Sequence, residues 1–145
     1  MGGLRPAKDV ILECLRHGKH VVTANKALLA DSGYEIFNLA NALGLTVGFE
    51  ASVGGGIPII KSLKDGFIAN RFELIYGIIN GTSNFILSEM AERGRNFKDA
   101  LALAQGNGYA EKDPRLDISG MDSNNKLAIL ALLGFGIAAK PSDIY

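Results

Sequence analysis

Gly18-Lys19-His20-Val21-Val22-Thr23-Ala24-Asn25-Lys26 opens on a turn, passes through β-branched residues and ends on a pair suited to starting a helix. Two valines and a threonine favour an extended chain, because branched side chains pack well on a pleated surface and lose χ1 freedom in a helix. Upstream, Val10, Ile11, Cys14 and Leu15 fall at helical spacing across residues 6–16, with Pro6 tolerated in the first turn and Gly18 closing the helix. Downstream, residues 27–43 read as a second helix, with Gly33 as a break and Gly44 as its end. Leu45-Thr46-Val47-Gly48-Phe49-Glu50 supplies another strand. Helix, strand, helix, strand with short links predicts an α/β region built on a parallel sheet.

The pattern changes at Ser52-Val53-Gly54-Gly55-Gly56, and Glu50 to Gly56 is the best internal boundary. A helix is expected from Ile57-Pro58 to about residue 65, then a strand over residues 71–79 with Phe72, Leu74 and Tyr76 on one face. Asn80-Gly81-Thr82-Ser83-Asn84 is turn and cap chemistry, with Thr82 or Ser83 expected as the N-cap of a helix to residue 93. Residues 97–105 form a further helix and residues 121–135 a last one. There is no internal repeat.

Of the 145 residues, 48% are hydrophobic and 21% charged, enough apolar material for a real core and too much for a disordered tail. Fifteen basic residues balance fifteen acidic ones, so the electrostatic footprint of a nucleic-acid or anionic-membrane binder is missing. The longest apolar run, residues 127–133, is far short of the roughly 20 residues a membrane span requires. No signal peptide is recognisable, and Pro6 departs from a myristoylation motif. Cys14 is the only cysteine and reads as a small buried hydrophobe, which points to the cytoplasm. The chain enters helix-like sequence at once and stops just past a proline at Ser142-Asp143-Ile144-Tyr145, as an excerpt would.

Chemistry concentrates in Gly108-Tyr109-Ala110-Glu111-Lys112-Asp113-Pro114-Arg115-Leu116-Asp117, followed by Ser119-Gly120-Met121-Asp122 and then Lys126. Glu111, Asp113, Asp117 and Asp122 crowd four carboxylates into a loop that opens into an apolar helix. Asp122 and Lys126 stand at i and i+4, and Ile129, Leu130 and Leu133 continue their stripe. Leu127, Ala128, Ala131 and Leu132 make the flanks apolar too, so this reads as a core helix whose charged entrance faces a cleft or a partner. Such carboxylates suit an ammonium group, and a positioned lysine suits proton transfer. The plainer alternatives are an ordinary i,i+4 ion pair and an acidic loop favoured beside a helix N-terminus. The spacing matches no calcium loop.

Two further stretches carry weaker signals. Thr23-Ala24-Asn25-Lys26 lies at the C-terminal end of a strand, the edge where open α/β sheets bind ligands. Its plainer reading is helix capping by Asn25 with Lys26 solvated. Gly54-Gly55-Gly56 lacks both the Gly-Lys-Ser/Thr of a P-loop and a G-x-G-x-x-G fingerprint. It is either a bend or a close backbone approach to a ligand or ion, with Glu50 beside it. His17 and His20 read as surface residues.

Taken together, the chain resembles the homoserine dehydrogenases. The resemblance rests on residues 18–26, on Phe49-Glu50-Ala51-Ser52-Val53-Gly54-Gly55-Gly56-Ile57-Pro58, on Ile79-Asn80-Gly81-Thr82-Ser83-Asn84 and on residues 108–126, in the family's order. It implies an α/β protein in which residues 1–49 are the later part of a Rossmann domain, an incomplete parallel sheet. Residues 50–145 would be an incomplete α+β catalytic and dimerisation domain with a mixed sheet and helices. The implied activity is NAD(P)-dependent interconversion of L-homoserine and L-aspartate 4-semialdehyde, on the route to threonine, methionine and isoleucine. Lys126 and Lys26 match catalytic lysines, Asp122 a carboxylate orienting the reacting oxygen, and Glu111 and Asp117 substrate-binding positions. Thr23, Asn25 and Lys26 fall on the side of NADP or NAD. Glu50, Val53, Gly55 and Ile57 match a sodium or other monovalent-cation site. A homodimer through the strand at 71–79 is implied, with no nucleic-acid or membrane partner. The chain departs from the family pattern in showing no Gly-rich cofactor turn, which leaves a non-catalytic substrate-binding and dimerisation fragment as the rival reading.

Overall fold

The computed structural model describes residues 3–145, which divide into two compact units. The larger runs to Ile75 and resumes over Asn124–Tyr145; the smaller is Tyr76–Ser123.

The larger unit begins with α1 (Leu4–Arg16), which buries Ile11, Leu12 and Leu15, while Cys14 is half-buried and Val10 exposed. The stripe is therefore shifted by part of a turn from the expected one. β1 (Val21–Val22) and β2 (Val47–Gly48) pair in parallel, Val21 opposite Val47 and Val22 opposite Gly48. The ladder continues where Val21 N–H donates to the Thr46 carbonyl at 3.0 Å and Thr23 N–H to the Gly48 carbonyl at 2.9 Å. Exposed His20 supports the same edge, its Nδ1 accepting from Thr46 N–H at 2.9 Å.

Between the strands, α2 (Lys26–Ala42) runs without interruption through Gly33. The expected break is absent because Gly33 is a packing position. A Cβ there would meet a Phe37 ring carbon at 3.2 Å and a Leu132 methyl at 3.7 Å. Beyond β2 the chain makes a short 3₁₀ turn (Glu50–Ser52), then α3 (Ile59–Lys61), which widens into a π-helical turn over Ser62–Gly66.

Residues 71–79 belong to no ladder, since the only sheet among the described residues is β1–β2, and the chain bends at Glu73. Leu74, Tyr76 and Ile78 are 71%, 88% and 74% exposed and Phe72 is half-buried, but Arg71, Glu73 and Gly77 are exposed as well, so burial does not follow the expected alternation of Phe72, Leu74 and Tyr76. A segment becomes a strand only when a second backbone accepts and donates along it in a ladder. The larger unit is completed by most of α7 (Met121–Phe135), which begins and ends where the sequence pattern places it. It buries Ala128, Ile129 and Leu130 but leaves Leu127 37% and Phe135 40% exposed, so its apolar surface is not covered all round.

The smaller unit is helical. α4 (Gly81–Arg93) and α5 (Phe97–Gly106) close over Ile86, Ala100, Ala104 and Ala110, with Phe85, Met90 and Leu101 against them. α4 ends at Gly94 in the left-handed conformation (φ 64°), where a side chain would be strained. Its N-cap is Asn80, not Thr82 or Ser83, because the Asn80 carbonyl oxygen reaches Ser83 N–H at 2.7 Å. Buried Glu89 is paired with Arg93 at 3.2 Å and Arg95 at 2.8 Å. The acidic loop contains an unforeseen short helix, α6 (Arg115–Ile118), begun by Pro114. No helix among the described residues is long and apolar enough to cross a membrane.

Leu15, Leu28, Leu29, Ile36 and Ile129 are the most completely buried large side chains of the larger unit. Leu28→Ala should therefore cost about 2–5 kcal/mol in urea unfolding. Val22→Ala, at a position 89% exposed, should stay within about 0.5 kcal/mol of the parent.

Candidate active site

In the smaller unit the carboxylates are sorted by what reaches them. Asn80 and Asp122 are buried, each 8% exposed, and Asp117 is half-buried. The Asn80 amide nitrogen donates to Asp117 Oδ1 at 2.8 Å and to Asp122 Oδ2 at 2.9 Å. Since the Asn80 oxygen is committed to the α4 cap, both N–H bonds of the amide are free to face the carboxylates. Ser83 Oγ ties the same corner down by donating to the Asp117 carbonyl at 3.2 Å. Two carboxylates held by a neutral donor form a negative site that fits a cation such as an ammonium group.

Glu111 and Asp113 lie outside this pair. Both are exposed. The backbone at Glu111 is held by Gln105 Nε2, which donates to the Glu111 carbonyl at 3.2 Å. Thr82 Oγ1 donates to the Tyr109 carbonyl at 2.7 Å, and the Phe85 and Tyr109 rings pack at 4.8 Å, fixing the loop's start. Asp113 is gripped by Arg115, whose Nε donates to Oδ1 at 2.7 Å while Nη2 faces Oδ2. That fork holds the Asp113 carboxyl below the usual carboxylate range and raises the Arg115 guanidinium. Lys126, half-buried, stands one helical turn beyond Asp122 along α7.

In the larger unit, a cavity of about 480 Å³ opens at the C-terminal ends of β1 and β2, lined among others by Val22, Thr23, Ala24, Gly48 and Glu50. This is the edge at which parallel sheets receive ligands. Asn25 caps α2, its Oδ1 accepting from Leu28 N–H at 3.1 Å, while Thr23 Oγ1 accepts from Asn25 N–H at 3.1 Å. The plainer reading of Asn25 is thus present alongside the ligand-edge position. Lys26 is the first residue of α2 and half-buried.

Glu50 turns its carboxylate onto the start of α3, accepting from Ile60 N–H and Lys61 N–H, each at 2.9 Å. Val53 is buried, whereas Gly55 and Ile57 are exposed, and Ile57 N–H closes the glycine turn onto the Gly54 carbonyl at 2.7 Å. Among the described residues, no three His, Cys, Asp or Glu side chains converge as metal ligands.

Asn80 is the residue that sequence reasoning did not single out. Its signal was present in Asn80-Gly81-Thr82-Ser83-Asn84: an asparagine that caps with its oxygen has a nitrogen left to place.

A parallel strand pair with a cavity at its C-terminal edge, and a helical unit bearing paired aspartates, define an α/β protein. A family model described as homoserine dehydrogenase matches residues 58–145, and one described as homoserine dehydrogenase, NAD binding domain, matches residues 1–50. The chain is 56% identical over 145 residues to a homoserine dehydrogenase of Pseudomonas aeruginosa, covering 100% of this chain and 33% of that protein. It is 53% identical over 144 residues to one of Synechocystis sp., covering 99% and 33%. A crystal structure of a Thiobacillus denitrificans homoserine dehydrogenase superposes with a TM-score of 0.85 at 50% identity, over 99% of this chain and 36% of that one. A hyperthermophilic archaeal homoserine dehydrogenase in complex with NADPH gives 0.82 at 33% identity, over 91% and 41%. The chain belongs to the homoserine dehydrogenase family. It spans about a third of the length of the curated relatives it matches.

The Asp113–Arg115 fork makes a titration prediction. Because the folded carboxyl lies below its unfolded value, the pair's contribution is present above the unfolded value and is lost as pH falls through the folded one. Carboxyl NMR should show Asp113 titrating below the ordinary range, and Arg115→Gln should return it there.

Proposed function

We propose that this chain supplies the substrate-side residues of a homoserine dehydrogenase, which interconverts L-homoserine and L-aspartate 4-semialdehyde with NAD or NADP. The observation that carries this reading is the pair Asp117 and Asp122 held on one amide, within a chain of this family. In this reading residues 1–49 contribute the later part of the nucleotide-binding domain and residues 50–145 the catalytic and dimerisation part. The extents of the two family models support that division.

The cofactor, when bound, exchanges a hydride with the carbon that carries the reacting oxygen. Thr23, Asn25 and Lys26 face the cofactor in this reading, which Thr23 supports by lining the cavity at the ends of the parallel strands. Asp117, with Glu111, holds the substrate ammonium. Asp122 orients the reacting oxygen, directly or through water. Hydride arrival at an aldehyde carbon builds negative charge on that oxygen, so a positioned ammonium lowers the barrier, and Lys126 or Lys26 supplies it. The substrate carboxylate, which these aspartates would repel, is left to backbone N–H groups.

A sodium or similar cation at Glu50 with the carbonyls of Val53, Gly55 and Ile57 is compatible with the capping role. Each Glu50 oxygen accepts one N–H and keeps a further lone pair. A homodimer through residues 71–79 is supported by the exposed apolar side chains of Leu74, Tyr76 and Ile78. A cytoplasmic setting fits the single cysteine.

The test is homoserine oxidation with NAD and with NADP by a full-length protein carrying this sequence. Lys126→Ala should reduce kcat at least about 1,000-fold, in the range of losing a transition-state donor, with an unchanged melting curve. Near-parental turnover would remove Lys126 from the chemistry. Asp117→Asn should act mainly on KM for homoserine, raising it about tenfold or more, as loss of a charged hydrogen bond does.

A further inference from the structure

An N-cap requires only an oxygen. Aspartate, serine and asparagine cap about equally well, so the cap of α4 does not by itself call for the residue at position 80. Of these three, only asparagine provides an oxygen and an N–H₂ group on one rigid plane. The oxygen accepts from Ser83 N–H at 2.7 Å, which settles the amide's orientation. The nitrogen is thereby turned onto Asp117 at 2.8 Å and Asp122 at 2.9 Å, one hydrogen for each. The group is 8% exposed, so water contributes little to separating the two carboxylates. Without the amide between them, the two carboxylates lose the donor that holds them together.

We propose that Asn80 is a positioning residue for the dehydrogenase reaction, an inference that rests on the functional reading above. It spans the carboxylate assigned to the substrate ammonium and the carboxylate assigned to the reacting oxygen. Its amide sets the distance between the two ends of the substrate site. Through Asp117 it acts on binding, and through Asp122 on the chemical step. Because the amide is anchored by the first turn of α4, that distance is tied to a helix rather than to the acidic loop.

The experiment compares Asn80→Asp and Asn80→Ser with the parent in a full-length protein carrying this sequence. Both variants keep a capping oxygen and lose the N–H₂ group; only the first adds charge. Melting curves and circular dichroism at the assay temperature verify folding. Positioning predicts that Asn80→Ser lowers kcat/KM about 100-fold, as misplacing reacting groups does, through a higher KM and a lower kcat together, and that Asn80→Asp loses more. A cap-only role predicts kcat and KM within about twofold of the parent in a folded Asn80→Ser protein, and that result overturns the proposal. Should Asn80→Asp fail to fold, the serine variant decides. If the parent itself does not oxidise homoserine, it is the functional reading that has failed. Side-chain amide exchange by NMR then judges the positioning alone: Asn80 protons exchanging as fast as those of exposed Asn107 would overturn it, and strong protection would uphold the bridge.

Discussion

A carboxamide has one oxygen and one nitrogen with two hydrogens, and Asn80 commits all of these at once. The oxygen begins α4, and the nitrogen reaches a residue of α6 and a residue in the first turn of α7. Three elements of the smaller unit therefore meet at one rigid plane of atoms. Its small apolar core of Ile86, Ala100, Ala104 and Ala110 packs α4 on α5 and closes on the chain just before the acidic loop. What it does not do is orient the loop's aspartates. That falls to hydrogen bonds, which are directional where apolar packing is not.

The same selectivity explains why four crowded carboxylates do not make one site. Asp113 lies two residues from Arg115, and a flexible guanidinium that close takes it into an exposed fork. Glu111 remains on the solvent side of the loop. Glu50, in the larger unit, accepts from the two N–H groups that open α3. Each carboxylate goes to the nearest donors its backbone geometry presents, and only Asp117 and Asp122 have a shared one.

Pairing decides the β structure in a comparable way. Val21 and Val22 become a strand because Val47 and Gly48 lie alongside to complete the ladder. Residues 71–79 also carry apolar side chains, but they enter no ladder among the described residues. Strand propensity describes a fit to a pleated surface and not an intrinsic property of the segment.

Much was legible in the residues alone, because helix periodicity and capping are local. The extent of α7 and the start of the helix at residue 97 follow from side chains within a few positions of one another. So does the family resemblance, which rests on ordered short motifs. Tertiary structure alone decided that Gly33 is a packing glycine under Phe37 and Leu132, that residues 71–79 lack a ladder partner, and that Glu50 caps a helix. It also decided that Asn80, 37 residues before Asp117 and 42 before Asp122, bridges them. No periodicity encodes a contact across that separation; it exists only once α4 has brought its N-terminus to the end of the acidic loop.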